Sequence, residues 1–393
     1  MTAISTPKSK PKTYLILICL TLVVCGSLNT ISVKYTDSIE VNGLPFQHPF
    51  VQLTFMCFGQ FCCIVIYLII HLCKKWSYQK RQKQENTDEA APSLPSVNPL
   101  IFLPPAMSDL VAVSFIYFGL NFTKASSYQM LRGSMIIYTG LMTVFILKIK
   151  FHAYKWLGMV LVSIGLVIVG AADMIFSDPS KHDLKTVLIG DLCIVIAQFL
   201  EASQFVYEQR NVRKYNVPPL YALGLEGLFQ MIILAVILGP MYFIHVPETF
   251  SKNPSHRLED IPLAVREIMQ EPKLLIGLLG ISVTVGIFVF AGICVAKYLS
   301  ATTRTVLDSS RILLVWAISV PLFGEKIYAL QIAGFLVLVF GVMVYNDLLI
   351  GPFMRARTSG FCQKFWGYEK EESAPEVEVK EEEQFENVEC HCV

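Results

Sequence analysis

Residues 125–134 read ASSYQMLRGS, and residues 301–310 read ATTRTVLDSS. The two stretches share an Ala, two adjacent hydroxyl residues, a Leu and a Ser, and Leu131 corresponds to Leu307. The same spacing relates three further pairs downstream: Lys150 with Lys326, Gly158 with Gly334, and Gly165 with Gly341. A repeat kept in one register over this length predicts a chain of two related halves.

The composition predicts a membrane protein. Of the 393 residues, 54% are hydrophobic and only 16% are charged, whereas soluble domains are usually about a quarter charged. The formal net charge of +1 gives no reason to expect a nucleic-acid partner. Two related halves, each with a polar cluster that opens an apolar helix, are typical of a secondary transporter.

A spanning helix needs about 20 mostly apolar residues, and the chain contains ten such segments. They are residues 13–35, 48–73, 99–120, 125–147, 154–176, 187–208, 218–245, 273–296, 301–323 and 327–349. The predicted fold is therefore an all-α polytopic membrane protein. Its predicted parts are an N-tail (1–12), a first five-helix repeat (13–176), a link (177–186), a second repeat (187–350) and an acidic disordered tail (351–393).

The orientation follows from Lys and Arg near the helix ends, which favour the cytosol. The N-tail and the even-numbered links are the richer in these residues, so both termini are predicted to be cytosolic. The fourth and ninth helices then run in opposite directions, which predicts a five-plus-five inverted repeat. An alternative remains for the first segment, because Lys residues followed by the run from Tyr14 to Leu28 also resemble a cleaved signal peptide.

Polar residues within spanning segments are costly, so they are candidates for function. Hydroxyl side chains at a helix start can cap the helix, where exposed amides favour an anion. Residues three or four apart share a helix face, so Arg304, Asp308 and Arg311 form either an internal ion-pair ladder or a substrate anchor or gate, in which Asp308 releases an Arg when substrate binds. The substrate-binding candidates are Asn29, Ser126, Ser127, Gln129, Arg132, Gln204, Thr302, Thr303, Arg304, Asp308 and Arg311.

The sixth helix carries one polar stripe, composed of Gln198, Glu201, Gln204 and Glu208. Glu201 and the isolated Glu226 of the seventh helix are the proton-coupling candidates, although a structural hydrogen bond explains either equally well. Glu208 is predicted to be interfacial, near the cytosolic helix end. Asn121 begins an Asn-Phe-Thr glycosylation sequon in a lumenal or outer loop.

The glycine pairs Gly158/Gly165 and Gly334/Gly341 each place a small face along one helix, for contact within the chain or in a homodimer. Most of the 11 Cys lie in apolar runs and are interpreted as small hydrophobic residues, with no metal site. No HExxH, GxSxG, Walker-type or GxGxxG sequence is present. The sequence therefore predicts neither an enzyme nor a cofactor, and no ATP-driven transport by this chain alone.

Three stretches carry a resemblance to a known family: FQHPF at 46–50, ASSYQMLRG at 125–133 and LSATTRTVLDS at 299–309. With the ten helices and the inverted repeat, they resemble solute carrier family 35, F subfamily, of the drug/metabolite transporter superfamily. The resemblance implies a central cavity open alternately to either side. It also implies relatives that exchange nucleotide sugars for nucleoside monophosphates, and an endomembrane location, with the lysosome ahead of the Golgi.

The expected function is secondary-active transport of a small polar or charged organic solute, in the manner of nucleotide-sugar transporters. The expected partners are the solute, the lipid bilayer and a second copy of the chain. The alternative is a non-transporting organelle scaffold or sensor that acts through its C-terminal tail. Deleting residues 352–393 is expected to abolish the function of a scaffold, whereas Arg304→Ala is expected to impair only a carrier.

Overall fold

The computed structural model describes residues 11–41, 43–85, 93–122, 125–149, 151–176, 184–246, 256–323 and 328–345. Within these residues eleven α-helices follow one another. They are α1 (Lys12–Asp37), α2 (Pro49–Glu85), α3 (Leu103–Phe122), α4 (Ala125–Ile146), α5 (Ala153–Phe176), α6 (Leu184–Lys214), α7 (Pro219–Phe243), α8 (Ile261–Gln270), α9 (Pro272–Tyr298), α10 (Ala301–Phe323) and α11 (Ala329–Tyr345). A short hairpin, β1 (Glu40–Val41) and β2 (Leu44–Pro45), separates α1 from α2.

A long helix lies at each of the ten apolar segments, and α8 is an additional short helix within the predicted 246–272 loop. By length and composition, six helices of the described part could cross a membrane: α1, α2, α3, α6, α7 and α9. Shorter apolar stretches are Leu131–Ile146 of α4, Ala153–Ile168 of α5 and the whole of α11. The total of ten spans stays a prediction.

Proline and serine explain several helix starts. Pro219 and Pro272 stand at the first positions of α7 and α9, where a missing N–H costs nothing and the fixed φ suits a helix. The start of α10 is capped by Ser300, whose Oγ accepts a hydrogen bond from Thr303 N at 2.9 Å. The expectation that the hydroxyls of Thr302 and Thr303 provide this cap was therefore wrong by two to three residues.

The two glycine pairs face one another within the chain, along the contact between α5 and α11. A Cβ added at Gly158 would lie 2.6 Å from the Tyr345 backbone, and one at Gly165 would lie 2.7 Å from Leu338 N. Small residues let helix backbones approach where lipid provides no hydrophobic driving force. The contact is internal, so the glycines give no argument for a homodimer.

Helices of the two halves pack against one another in a symmetric pattern. If α1–α5 are matched in order with α6, α7, α9, α10 and α11, the observed α1–α9 contact corresponds to the observed α3–α6 contact. The α2–α7, α4–α10 and α5–α11 contacts each join a helix of the first half to its own counterpart in the second half. Helices of the first half are thus packed largely against helices of the second, which places α4 and α10 side by side at the centre.

Candidate functional site

The centre of the molecule holds an ion pair between two positions that the repeat makes equivalent. Arg132 of α4 donates to the carboxylate of Asp308 of α10, and the two residues are 176 positions apart. Arg311 lies on the other side of this carboxylate, with Nε 3.1 Å from Oδ1. One buried carboxylate therefore serves two guanidinium groups, of which one comes from each half.

A second ion pair joins α6 to α10, between Glu208 and Arg304. Gln204 donates to the other oxygen of Glu208 at 2.9 Å. The Arg304 guanidinium lies 3.6 Å over the ring of Phe205, and a Cβ at Gly292 would come within 2.6 Å of its Nε. The ring and the missing side chain thus define the slot that holds this guanidinium.

This second pair corrects two expectations. Glu208 was predicted to be interfacial, but it is fully buried because it accepts from a guanidinium in the helix bundle. The ladder predicted along α10 is also only partly present. Asp308 pairs with Arg311 on its own helix, whereas Arg304 turns to α6. A helix face is wide enough for residues four apart to select partners on different neighbouring helices.

Three more carboxyl groups adjoin these pairs. Glu226 of α7 is buried and lies within electrostatic reach of Glu208. Asp109 of α3 accepts from Gln230 of α7 at 2.7 Å. Glu201 of α6 is half-buried and lies within electrostatic reach of Arg132. In this part of the described chain, five carboxyl groups therefore lie close to three guanidinium groups.

Several buried polar atoms here have no hydrogen-bond partner among the described residues. They are Nε2 and Oε1 of Gln198, Oε1 of Gln204, Oε1 of Glu226, Oε1 of Gln230 and Nε of Arg304. Buried polar atoms in proteins are nearly always hydrogen-bonded, to protein or to ordered water. Their concentration on α6, α7 and α10 indicates a region built to receive water or a polar solute.

One end of the bundle, where α4 ends and α10 begins, is sealed by direct contacts, and we term it the closed end. Thr143 and Thr302 lie with their hydroxyl oxygens 3.3 Å apart. Arg213 at the end of α6 donates to the carbonyl oxygens of Lys297, at 2.8 Å, and Leu299. Gln209 accepts from Ala301 N at 2.7 Å. These contacts tie α4, α6, α9 and α10 together.

The opposite end contains a cavity of about 690 Å³ with a mixed polar and apolar lining. Its wall includes Asp37, His48, Tyr117 and Asn121, from the ends of α1 and α3 and the start of α2. Tyr117 is in electrostatic contact with Tyr128, and Tyr128 with Arg132. Tyr117 of the cavity wall is thus connected electrostatically, through Tyr128, to Arg132 of the central ion pair.

A buried polar cluster adjoins the wall of this cavity. The two ring nitrogens of His48 lie 2.6 Å from Glu259 and 3.4 Å from Glu267, and Glu259 also accepts from Phe50 N at 3.0 Å. Burial raises the pKa of the Glu267 carboxyl above its ordinary value, while the His48 imidazole beside it acts in the opposite direction. The cluster fastens α8 and the segment before it to the start of α2.

The remaining predicted candidates are dispersed. Asn29 donates to Thr284 Oγ1 at 3.3 Å, in the α1–α9 contact. Thr303 bonds Ser300 at 2.7 Å at the closed end. Asn121 lines the cavity and donates to Tyr117 O at 3.1 Å, and its glycosylation stays a prediction. The side chains of Ser126, Ser127 and Gln129 lie outside those that the structure describes.

Comparison with known proteins places this arrangement in a family. A model of the EamA-like transporter family matches residues 188–346, and one of solute carrier family 35 matches residues 100–246. Solute carrier family 35 member F6 of Homo sapiens is 43% identical over 345 residues, which cover 86% of this chain and 90% of that protein. The chain belongs to solute carrier family 35. It is an integral membrane protein of a transporter family, not of an enzyme family.

Two further relatives extend the comparison. The protein of the same name from Rattus norvegicus is 41% identical over 333 residues, covering 83% of this chain and 87% of that protein. An uncharacterized protein of Schizosaccharomyces pombe is 28% identical over 338 residues, covering 86% and 98%. A solved crystal structure with 12% identity aligns with a TM-score of 0.56 over 88% of this chain and all of that chain, which shows a shared fold.

Proposed function

We propose that this member of solute carrier family 35 is a secondary-active carrier that moves a small anionic organic solute by alternating access. Its ten long helices are taken as spans arranged in a five-plus-five inverted repeat. The pattern of the helix contacts supports this arrangement, because the largest contacts between the halves either have a counterpart or join a helix to its own counterpart. Carriers with such repeats expose one site near the midplane to each side in turn.

The Arg132–Asp308 ion pair is the observation that carries the proposal. An inverted repeat has its axis in the membrane plane, and equivalent positions meet only where the axis passes. Arg132 and Asp308 are equivalent positions and are in contact. A solute bound at this point is equally placed with respect to the two sides of the membrane, as alternating access requires.

The charges suggest how an anion is held. Asp308 keeps Arg132 and Arg311 together in the absence of solute. Breaking such a buried pair without replacement is costly, so a carboxylate or phosphate that takes the place of Asp308 binds two guanidiniums already positioned for it. Glu201 and Tyr128 are close enough to affect this site electrostatically.

The conformation suggests the direction of access. The closed end carries Lys148, Arg213 and Lys214, which by the preference of basic residues for the cytosol makes it the cytosolic end. The cavity then opens to the lumen of an endomembrane organelle, with the lysosome ahead of the Golgi by family resemblance. Solute would enter from the lumen in this state.

Transport by purified protein in proteoliposomes tests the proposal. The probes are UMP and a UDP-sugar as anions and thiamine as a cation, each with and without the same unlabelled compound inside. We expect counter-exchange of an anionic probe, its loss in Arg132→Ala, and its retention in the matched variant Arg210→Ala, whose side chain is exposed on α6. Exchange of thiamine alone would contradict anion selectivity, and the absence of exchange of any probe would contradict the proposal and favour a scaffold.

A further inference from the structure

We infer that the protein binds a lipid with one alkyl chain and an ammonium headgroup. The alkyl chain lies in a groove between α3 and α7, and the headgroup lies in the cavity at the end opposite the closed end. This ligand is distinct from the anionic solute of the proposed function. Its binding requires that the helices lie in a bilayer, and it does not require transport.

The groove between α3 and α7 has a volume of about 390 Å³. Phe50 and Leu53 of α2 form its buried floor, whereas Val111 of α3 and Ile237 of α7 on its walls are 43% and 39% exposed. Both helices are long and apolar enough to cross a membrane, so the groove opens towards lipid. Its volume lies at the lower end of the range for ligand pockets, about 300–1,000 Å³, which suits one alkyl chain.

The groove extends towards the cavity. A hydrogen bond of 2.7 Å joins Asp109 of α3 to Gln230, near the middle of α7. The groove residues of α7 follow this bond along the helix, and they are Ile233, Leu234, Ile237 and Met241. The start of α7 lies at the closed end, because Lys297 Nζ donates to Val217 O at 2.9 Å. The groove therefore runs from the Asp109–Gln230 bond to the end of the bundle that contains the cavity.

The groove and the cavity adjoin. Four residues line both of them: Phe50, Ser114, Phe118 and Met241. Ser114 is small, and its hydroxyl donates to Leu110 O on its own helix at 2.8 Å. Met241 has an unbranched side chain that adapts to its surroundings. An alkyl chain in the groove can therefore carry a headgroup into the cavity when these side chains adjust.

The charges of the cavity favour a cation. Among the lining residues that the structure describes, Asp37 contributes a carboxylate and none is a Lys or an Arg. Asp37 accepts from the neutral Gln52 at 2.6 Å, and the ring nitrogens of His48 already lie beside Glu259 and Glu267. A headgroup with a net negative charge would be repelled here, whereas an ammonium group would be attracted to Asp37.

Aromatic rings support the same headgroup. Those that line the cavity belong to Phe46, Phe50, Tyr117 and Phe118, and the rings of Phe50 and Tyr117 lie 6.1 Å apart. Ring faces attract ammonium groups. Lipid is as apolar as the groove, so apolar contact alone gives little preference for binding. The headgroup therefore determines which lipid binds, and the groove keeps its alkyl chain in apolar surroundings.

Native mass spectrometry of the full protein, released from detergent micelles, tests the inference by counting bound lipids. The probes are sphingosine, an amine, and stearate, a carboxylate with an alkyl chain of equal length. We expect one tightly bound sphingosine per protein, and binding of stearate weaker by about tenfold or more. Asp37→Asn is expected to remove this preference for the amine.

The path of the alkyl chain is tested by filling the groove. Val111→Trp is expected to weaken sphingosine binding by about tenfold, and so is Ser114→Leu at the boundary with the cavity. The matched control is Val236→Trp on α7, because Val236 is 69% exposed and lies outside the groove. Ile237→Trp fills the groove from its other wall if Val111→Trp does not fold, as judged by thermal unfolding.

Equal sphingosine binding in Val236→Trp and in the folded groove variants would overturn the inference. Stearate bound as tightly as sphingosine by the wild type would also overturn it. Neither result concerns the proposed function, because binding is measured without solute and without a gradient. Conversely, absent exchange of UMP and the UDP-sugar in proteoliposomes would contradict the anion carrier and leave the lipid site in place.

Discussion

At the scale of residues, the differences between the two repeat copies identify the centre of the molecule. Arg132 and Asp308 occupy corresponding positions, and their opposite charges could be seen in the sequence. Their contact could not be predicted, because it depends on how α4 and α10 are rotated and packed. The burial of Glu208 could not be predicted for the same reason. Its place near the cytosolic helix end suggested a position at the membrane interface, but its partner Arg304 lies 96 positions away.

The central carboxylate is expected to matter more for stability than either of its arginines. Asp308→Asn removes the one carboxylate that both Arg132 and Arg311 contact directly, whereas Arg132→Gln leaves Asp308 paired with Arg311. Removing one member of a buried ion pair costs about 3–5 kcal/mol. Thermal unfolding in detergent should show the larger loss for Asp308→Asn, and a larger loss for Arg132→Gln would contradict this reading of the site.

Glu267 is expected to make stability depend on pH. Its pKa is raised by burial, so the folded chain keeps a proton that the unfolded chain has lost. The resulting stabilisation is complete below the ordinary Glu pKa and is lost as the pH rises through the raised value. Unfolding temperatures measured from about pH 4 upward should fall less in Glu267→Gln than in the wild type. Glu40→Gln, exposed in β1, is the control and should leave the slope unchanged.

At the scale of elements, apolar run lengths predicted where the long helices lie, with ends mostly correct to a few residues. They missed α8, because ten residues are too short to give a spanning signal. They also ended too early for α2, which continues to Glu85, and for α6, which continues to Lys214, because both helices extend through polar stretches. The cap of α10 was misplaced because Ser300, Thr302 and Thr303 all carry hydroxyls. Only the backbone geometry distinguishes which of them receives the bond.

The α5–α11 contact gives a prediction for glycine. Gly165→Ala would place a Cβ 2.7 Å from Leu338 N, a backbone atom that cannot move aside cheaply, and overpacking of this kind costs about 1–3 kcal/mol. Gly239→Ala on α7 has nothing within 4 Å and should be neutral or slightly stabilising, since Ala favours helices by up to about 1 kcal/mol. Equal unfolding temperatures for the two variants would contradict the close contact.

At the scale of the whole molecule, the sequence repeat predicted two related halves, and the packing adds how they meet. Helices contact their counterparts or exchange partners across the centre, so neither half is an independent body. The seal at one end and the cavity at the other could not be predicted. One sequence encodes all the conformations that a carrier adopts, and no residue pattern in it indicates which end is closed. The seal depends on tertiary contacts such as Arg213 with Lys297 O.

Alternating access at the closed end is tested most directly by a reversible lock. Thr143 and Thr302, whose hydroxyls are 3.3 Å apart, would be replaced by cysteines in a background lacking the 11 native ones. We expect oxidation to a disulfide to abolish UMP exchange in proteoliposomes, and reduction to restore it, while each single cysteine variant is unaffected by oxidant. Exchange at an undiminished rate with the disulfide fully formed would contradict transport through opening of this end.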